Sequence, residues 1–136
     1  MITGIGIDIV EINRMYKWLD NLNLLERFFH SNEISFLSSR YTLQEKDVNK
    51  QQYAQALAAR FAAKEAFGKA LGTGLSGISL KDIMVLNNEN GKPEIKLFGS
   101  ALDAFIKSGA AKSHISLSHE KENAIAMIIL EAENAG

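Results

Sequence analysis

The 136-residue sequence contains no cysteine, a single proline and no excess of either charge, with a formal net charge of −1. Without cysteine the chain has no disulfide bond and no thiolate ligand for a metal, and a reducing compartment is the simplest expectation. The small net charge argues against the overall basicity of a nucleic-acid-binding protein. The N-terminal segment has no basic leader and acidic residues interrupt its apolar run, so we expect neither a signal peptide nor a membrane span, but a cytoplasmic protein.

Several well-known motifs are incomplete. Ile9 stands where a dinucleotide-binding glycine pattern needs its third glycine, and Ala63 where a P-loop needs its first. Asn123 replaces the second histidine of a zinc-protease motif, and Ile78 replaces the final glycine of a nucleophile elbow. These gaps argue against an NTPase, a zinc enzyme and a serine hydrolase.

The sequence instead contains alternating strand and helix signals. From Gly4 onward isoleucine occupies every second position up to Ile9, so the isoleucines share one face of a predicted strand, while Gly4, Gly6 and Asp8 share the other. The other predicted helices are one directly after that strand, one at 32–38, one at 52–71 and one opened by a Ser100–Asp103 capping box. We also predict a loop at 38–52, a hairpin turning at Asn90-Gly91 and two strands joined at 120–123. This order predicts an α+β fold, an antiparallel sheet packed with helices in one domain, 1–136.

Asp8 allows two interpretations. It can cap the helix that follows, with Glu11 as the reciprocal partner of a capping box. Alternatively, a carboxylate at a strand-to-helix junction beside Gly4 and Gly6 has room for a metal ion or a ligand. Spacing alone does not choose between the two.

Glu65 lies in the segment RFAAKEAFGKALGTG at 60–74. At about 100° per residue it shares a helix face with Ala58, Phe61 and Gly68, where a carboxylate is costly unless it is paired or bound to a cation. Lys69, four residues later, can form an intrahelical pair, but such a pair stabilises a helix by only about 0.2–0.5 kcal/mol. A bound cation is the other explanation.

Three cations accompany Glu65 in this segment. Arg60 and Lys64 are like charges one turn apart, which fits either a solvated basic face or a polyanionic ligand, and Lys69 follows. The turn Gly72-Thr73-Gly74 then offers backbone N–H groups and a hydroxyl to a phosphate. Two carboxylates and several cations suit Mg²⁺, which takes few carboxylates together with waters and substrate phosphates. The residues by themselves therefore point to a Mg²⁺-dependent enzyme acting on a phosphorylated substrate.

Four segments, in order, resemble a known family over nearly the whole chain. They are GIGIDIVEINRM at 4–15, RFAAKEAFGKALGTG at 60–74, NGKPEIKL at 90–97 and ISLSHEKENAIAMIILE at 115–131. Together they resemble the small bacterial type of 4′-phosphopantetheinyl transferase, the holo-acyl-carrier-protein synthases. The first two segments are the most specific and the last two are supportive.

The resemblance implies that the chain transfers 4′-phosphopantetheine from coenzyme A to a serine of apo acyl carrier protein. The other product would be adenosine 3′,5′-bisphosphate, and the reaction supports fatty acid biosynthesis. Family members are commonly homotrimers that bind coenzyme A in clefts between adjacent subunits.

The residue roles are carried over from the family in the same way. Asp8 and Glu65 would hold Mg²⁺, and the late Ser-x-Ser-His element falls on Ser116, Ser118 and His119, with His119 as a nucleotide contact. The acidic carrier protein would dock on the first helix at Arg14, with Lys17 and Arg27 as helpers. The implied coenzyme A contacts in the long helix and its turn are Arg60, Lys64, Lys69, Gly72, Thr73 and Gly74.

In the implied mechanism the serine hydroxyl attacks the β-phosphorus in line, while the metal and lysines such as Lys69 stabilise charge on the equatorial and leaving oxygens. The base that takes the serine proton stays open between Glu65, a metal-bound water and Glu33. The alternative is a non-catalytic α+β binding module in which Asp8 is a helix cap and Glu65–Lys69 a structural ion pair.

Overall fold

The computed structural model describes residues 1–41 and 47–133. The predicted loop at 38–52 therefore lies partly outside the described residues, and its two ends belong to helices. The first half contains β1 (Ile2–Glu11), a 3-10 helix (Ile12–Trp18), α1 (Leu22–Phe28), α2 (Ser31–Arg40) and α3 (Asp47–Leu71). The second half contains a 3-10 helix (Leu80–Asp82), β2 (Ile83–Asn87), β3 (Pro93–Leu97), α4 (Gly99–Lys107), β4 (Lys112–His119) and β5 (Asn123–Glu131).

The predicted α+β architecture is confirmed, with two antiparallel sheets in the described part of the chain. One sheet has the strand order β1-β5-β4 and the other is the β2-β3 hairpin. The hairpin turns where the Asn90-Gly91 pair predicts, with Gly91 at a φ of 80° that disfavours other residues. The described helices also include none that is long and apolar enough to cross a lipid bilayer.

Helix α3 is the centre of the fold. It lies across the inner face of the three-stranded sheet, and nearly every residue between Tyr53 and Ala70 that faces the sheet or the hairpin is buried. Many of these residues are alanines, which let the helix and the strands approach closely. The inner face of β5 completes this core with small and branched residues, Ala124, Ala126, Ile128 and Leu130.

The outer face of the same sheet is apolar and exposed. On β1, Ile5, Ile7 and Ile9 are 59%, 54% and 60% exposed. The strand register sets Ile7 opposite Met127 and Ile9 opposite Ile125 on β5, and these partners are also exposed. We call these five side chains the outer apolar face. Exposed apolar patches that are continuous across strands are typical of interaction surfaces.

Three details differ from the sequence prediction. The short helix α1 was not predicted, although Asn21 caps it by accepting a hydrogen bond from the Leu24 backbone N–H at 3.1 Å. Helix α3 starts at Asp47, earlier than predicted. The proposed Ser100–Asp103 capping box is wrong, because Ser100 donates instead to Asp82 from its backbone N–H at 3.0 Å and from its hydroxyl at 2.8 Å.

Candidate active site

Two glycines of β1 bring the strand into direct contact with α3. A Cβ atom on Gly4 would lie 1.8 Å from the backbone oxygen of Ala70, and one on Gly6 would lie 1.9 Å from that of Ala66. No side chain fits at these distances, so only glycine allows this approach. The next residue on the same face of β1 is Asp8, which therefore faces α3 as the predicted alternation requires.

Asp8 and Glu65 come together where β1 passes α3. Burial raises the pKa of the half-buried Glu65, and the nearby negative charge of Asp8 raises it further, while Lys69 and Arg14 oppose the shift. The effect of the Asp8 charge on Glu65 shows that the two carboxyl groups are close enough to interact. Like charges in such an arrangement need a cation, either from the protein or from a ligand.

Lys69 supplies one such cation, but to Asp8. Its ammonium lies 3.0 Å from Asp8 Oδ1 and donates a second hydrogen bond to the backbone oxygen of Ile7, also at 3.0 Å. The Lys69 side chain remains 55% exposed and that of Asp8 18%. The pair therefore stands at the surface, where a ligand can reach both groups.

The binding-module alternative fails on both of its residues. Asp8 lies inside β1, which continues to Glu11, so it cannot cap the 3-10 helix that starts at Ile12. Lys69 pairs across elements with Asp8, and within the described residues no ion pair joins it to Glu65. Neither residue has the local role that this alternative requires.

The donor set suits a magnesium ion. The described residues contain no group of three or more His, Cys, Asp or Glu side chains able to hold a metal. Two carboxylates fit Mg²⁺ better than zinc or calcium, because Mg²⁺ binds through one or two carboxylates and completes its shell with waters and substrate phosphates. Asp8 and Glu65 are the residues that would hold it.

Lys64 is placed differently from the prediction. Its side chain is fully buried, and the ammonium donates to Glu33 Oε1 at 2.7 Å, to the backbone oxygen of Leu80 at 3.1 Å and to that of Ile83. An ammonium has three donors, and all are used. A phosphate contact by Lys64 would require breaking these bonds, so Lys64 has to be removed from the expected phosphate ligands.

Arg60 is also largely buried, but it keeps access to a cavity. Its guanidinium donates to the backbone oxygens of Val85 and Ala56 and to Asn87 Oδ1, at 3.1–3.2 Å. It nevertheless lines a cavity of about 690 Å³ together with His119 at the end of β4. The other lining residues are Arg40, Tyr41, Gln52, Gln55, Ala56, Ala59, Asn87, Pro93 and Leu117.

This cavity does not contain the carboxylates. Arg60 and Glu65 are five residues apart on α3, which corresponds to about 7–8 Å along the helix axis. The cavity and the Asp8–Glu65 group therefore lie beside successive turns of the same helix. The family resemblance named both Arg60 and His119 as coenzyme A contacts, but no local pattern in the sequence connects them with the lining residues Arg40, Tyr41 and Gln55.

The turn after α3 has less donor capacity than the sequence suggested. The Gly72 backbone N–H donates to the Lys69 oxygen and the Gly74 N–H to the Gly68 oxygen, each at 3.0 Å. Both glycines have positive φ, 81° and 68°, which closes the helix in the manner expected of a C-cap. Two of the three backbone donors that were expected to face a phosphate therefore terminate the helix, and Thr73 is the exposed residue between them.

The predicted carrier-docking cations are all exposed. Arg14 lies on the 3-10 helix with its guanidinium 5.7 Å from the centre of the Phe61 ring, and its charge lowers the pKa of Glu65. Lys17 follows on the same helix, and Arg27 lies on α1 over the Phe28 ring. Arg14 is therefore the docking candidate nearest to the carboxylates.

The comparisons with known proteins find a matching family model and a similar named relative. A model of the 4′-phosphopantetheinyl transferase superfamily matches residues 4–128. A holo-[acyl-carrier-protein] synthase of Treponema denticola is 52% identical over 131 residues, which cover 96% of this chain and 99% of that protein.

Two solved structures share the fold. The acyl carrier protein synthase of Plasmodium yoelii with ADP bound has a TM-score of 0.83 at 34% identity, covering 98% of each chain. The holo-(acyl-carrier-protein) synthase of Bacillus anthracis in complex with CoA (3′,5′-ADP) has a TM-score of 0.76 at 37% identity, covering 98% of this chain and 99% of that one. The similarity thus extends over the full length of the fold.

Proposed function

Because this chain belongs to the 4′-phosphopantetheinyl transferase superfamily, we propose that it transfers the 4′-phosphopantetheine group of coenzyme A to a serine of apo acyl carrier protein. The serine oxygen forms a bond to the β-phosphorus, the bond from that phosphorus to the bridging oxygen breaks, and adenosine 3′,5′-bisphosphate leaves. The transferase assignment follows from the full-length relatives and from the coenzyme A nucleotide in the Bacillus anthracis structure. We expect the reaction to take place in the cytoplasm and to serve fatty acid biosynthesis.

The observation that carries the proposed chemistry is the Asp8–Glu65 group with Lys69 beside it. Burial and, to a lesser extent, the negative charge of Asp8 raise the pKa of Glu65, and a divalent cation would stabilise both carboxylates. Mg²⁺ held by Asp8 and Glu65 would neutralise charge on the transferring phosphoryl group. The exposed ammonium of Lys69, already 3.0 Å from Asp8, is placed to stabilise charge on the same phosphates.

The burial of Glu33 argues against one of the three candidate bases for the serine proton. Glu33 is 0% exposed, and its carboxylate is occupied by the Lys64 ammonium and two backbone N–H groups. It cannot reach a substrate, so Glu33 is removed from the three candidates. Glu65 and a water molecule at the site are the two candidates that remain.

Three further contacts with coenzyme A and the carrier protein are part of the proposal. The cavity lined by Arg60 and His119 would bind the nucleotide end of coenzyme A. It contains cationic side chains and lies about one turn of α3 away from the Asp8 and Glu65 carboxylates. Thr73, between the capping glycines, would meet the phosphates. Arg14, with Lys17 and Arg27, would dock the acidic carrier protein near Glu65.

The outer apolar face supports the expected homotrimer. Five large apolar side chains on two adjacent strands are exposed in the single chain, and burying them against another copy would stabilise the assembly by about 25 cal/mol per Å². We expect Ile7→Lys, at the centre of this face, to yield monomers in light scattering. A trimer that survives this change would mean that the copies meet elsewhere.

Mass spectrometry tests the reaction itself. An apo acyl carrier protein incubated with this chain, coenzyme A and Mg²⁺ should gain the mass of one phosphopantetheine unit. The same mixture without Mg²⁺, and one with a carrier protein whose acceptor serine is changed to alanine, should show no gain. An unmodified wild-type carrier protein in the complete mixture would overturn the proposal.

A further inference from the structure

A buried ion pair beside the candidate active site has no part in the chemistry described so far. Glu33 on α2 and Lys64 on α3 are both 0% exposed, and their charged atoms are 2.7 Å apart. Lys64 directly precedes Glu65, one of the two carboxylates assigned to the metal. The pair therefore lies one residue away from the site without opening into it.

The pair connects four segments of the chain. Glu33 Oε1 accepts from the His30 backbone N–H at 2.9 Å and Oε2 from the Val85 N–H at 3.1 Å. Lys64 donates in turn to the backbone oxygens of Leu80 and Ile83. One carboxylate and one ammonium thus join the start of α2, the middle of α3, a 3-10 turn and the first strand of the hairpin.

A buried ion pair adds little net stability, but it restricts how the elements it joins can be oriented. Removing two charges from water costs about as much as their attraction returns, and apolar replacements of similar volume are often neutral or stabilising. Apolar contacts, however, tolerate rotation and sliding, whereas hydrogen bonds weaken steeply with angle and distance. In the observed rotation of α3 all three donors of Lys64 are satisfied at once, and rotating the helix would strain these hydrogen bonds.

That rotational setting decides where Glu65 points. Adjacent residues on a helix are about 100° apart, so when Lys64 faces α2 and the hairpin, Glu65 faces β1. Lys69 is about 140° from Lys64 and only about 40° from Glu65, which puts Glu65 and Lys69 on the side of Asp8. Arg60, one turn before Lys64, ties the same side of α3 to Val85 and Asn87 and holds the setting at a second level.

We propose that Glu33 and Lys64 are positioning residues for the transfer reaction. Their buried pair fixes the rotation of α3 so that Glu65 is presented to Asp8 and Lys69 reaches the same carboxylate. This inference rests on the proposed function, since it takes Asp8 and Glu65 as the metal-holding residues. The positioning role takes the place of the phosphate contact expected of Lys64 and of the role of Glu33 as a candidate base.

The test compares wild type with Lys64→Met, with the apolar double variant Glu33→Leu/Lys64→Met, and with Leu37→Ala. Leu37 is a buried residue of α2, one turn after Glu33, so its truncation weakens the same helix without touching the ion pair. Thermal midpoints are measured first, and all assays are run below the lowest midpoint. The assays measure kcat, KM for coenzyme A, the Mg²⁺ concentration for half-maximal activity, and the pKa of the Glu65 carboxyl by ¹³C NMR without Mg²⁺ or coenzyme A.

We expect the double variant to regain most of the thermal midpoint that Lys64→Met loses, yet to keep a kcat at least tenfold below wild type. KM for coenzyme A should change less than threefold, the Mg²⁺ requirement should rise, and the Glu65 pKa should move toward its ordinary value as the carboxylate leaves Asp8. Leu37→Ala should lower the midpoint but leave kcat and the Glu65 pKa unchanged.

Three outcomes would overturn the inference. A double variant with wild-type kcat and wild-type Glu65 pKa would show that the pair is replaceable packing. A rise in KM with kcat unchanged would show that Lys64 contacts coenzyme A. A Leu37→Ala variant with the same kinetic defects would show that any weakening of α2 suffices.

The double variant can fail to fold, and Glu33→Gln, which keeps the shape of the side chain, then takes its place with the same expected kcat, KM, Mg²⁺ requirement and Glu65 pKa. Loss of the proposed function gives a different result, namely a wild-type chain that does not modify the carrier protein or an Asp8→Ala variant that is fully active. The NMR measurement tests the positioning role in either case.

Discussion

Two lysines of α3, five residues apart, each pair with a carboxylate from another element. One pair has a structural role and the other belongs to the candidate site. Lys64 and Glu33 are fully buried, with every donor and acceptor used inside the chain. Lys69 and Asp8 are 55% and 18% exposed, and a second carboxylate, Glu65, lies beside them without an ion pair among the described residues. The difference shows that a complete set of partners marks a structural pair, whereas an incomplete one marks a place for a ligand.

The largest expected effect is the loss of stability when the buried Glu33–Lys64 pair is broken. Lys64→Met leaves the Glu33 carboxylate buried without its cation, and we expect the free energy of unfolding to fall by about 3–5 kcal/mol. Lys69→Met is the matched control, because it removes the same charge from an exposed pair and should cost less than about 1 kcal/mol. Urea unfolding followed by circular dichroism measures both, and equal losses would contradict the distinction between the pairs.

The second effect is on turnover at the exposed pair. Asp8→Ala and Glu65→Ala should each lower kcat about 10²–10³-fold, since each removes a ligand of the ion that stabilises the transition state. Neither should destabilise the fold strongly, because each relieves repulsion between like charges. The carrier-modification assay measures the loss, and Glu11→Ala, an exposed neighbour on β1, serves as the control. Wild-type turnover in either site variant would show that the metal assignment is wrong.

A third, smaller effect is the competition between Mg²⁺ and protons. The pKa of Glu65 is raised above 4.5, and the carboxyl must lose its proton to bind a metal, so the apparent Mg²⁺ affinity should fall about tenfold per pH unit below that pKa. Calorimetry in two buffers of different ionisation enthalpy detects the released proton. Glu65→Gln should show neither the proton release nor the slope, and a pH-independent affinity in wild type would refute a role for Glu65 as ligand.

The smallest expected effect is on the pH dependence of the free energy of unfolding in the absence of metal. A raised carboxyl pKa means that the folded chain binds the proton more tightly than the unfolded chain, so stability is lost as pH rises from 4.5 through the folded pKa of Glu65. The change should stay below about 1 kcal/mol, because Glu65 is partly exposed. Subtracting the unfolding curves of Glu65→Gln isolates the contribution of this residue. Added Mg²⁺ should restore stability near the upper end of this pH range. If the stability of wild type instead rises with pH relative to Glu65→Gln, the predicted direction is wrong.

The sequence predicted those features that depend on local periodicity. Alternation along β1 put Asp8 on the face with Gly4 and Gly6, and the end of α3 followed from Gly72. The family resemblance supplied the pairing of Asp8 with Glu65, which are 57 residues apart in the chain, and no local pattern connects them.

The roles of the cations were harder to predict. Periodicity showed that Lys64 and Lys69 lie on different sides of the helix, but the side that meets solvent is decided by the hairpin and by α2, which are distant in the sequence. Glu33 was misjudged for the same reason, because it reads as a surface residue of a short amphipathic helix and is buried only once α2 packs against α3. Helix α1 was missed since its seven residues are too few to give a clear period.

Gly4 and Gly6 also have a consequence for the way such a site changes over evolutionary time. The distance between strand and helix is set by two hydrogen atoms in the place of side chains, with carbonyl oxygens less than 2 Å from where a Cβ would be. A single added methyl group at Gly6 would wedge β1 away from α3 and separate the carboxylates while leaving every charged group of the site in the sequence. A search for inactive descendants by their missing catalytic side chains would overlook such a chain.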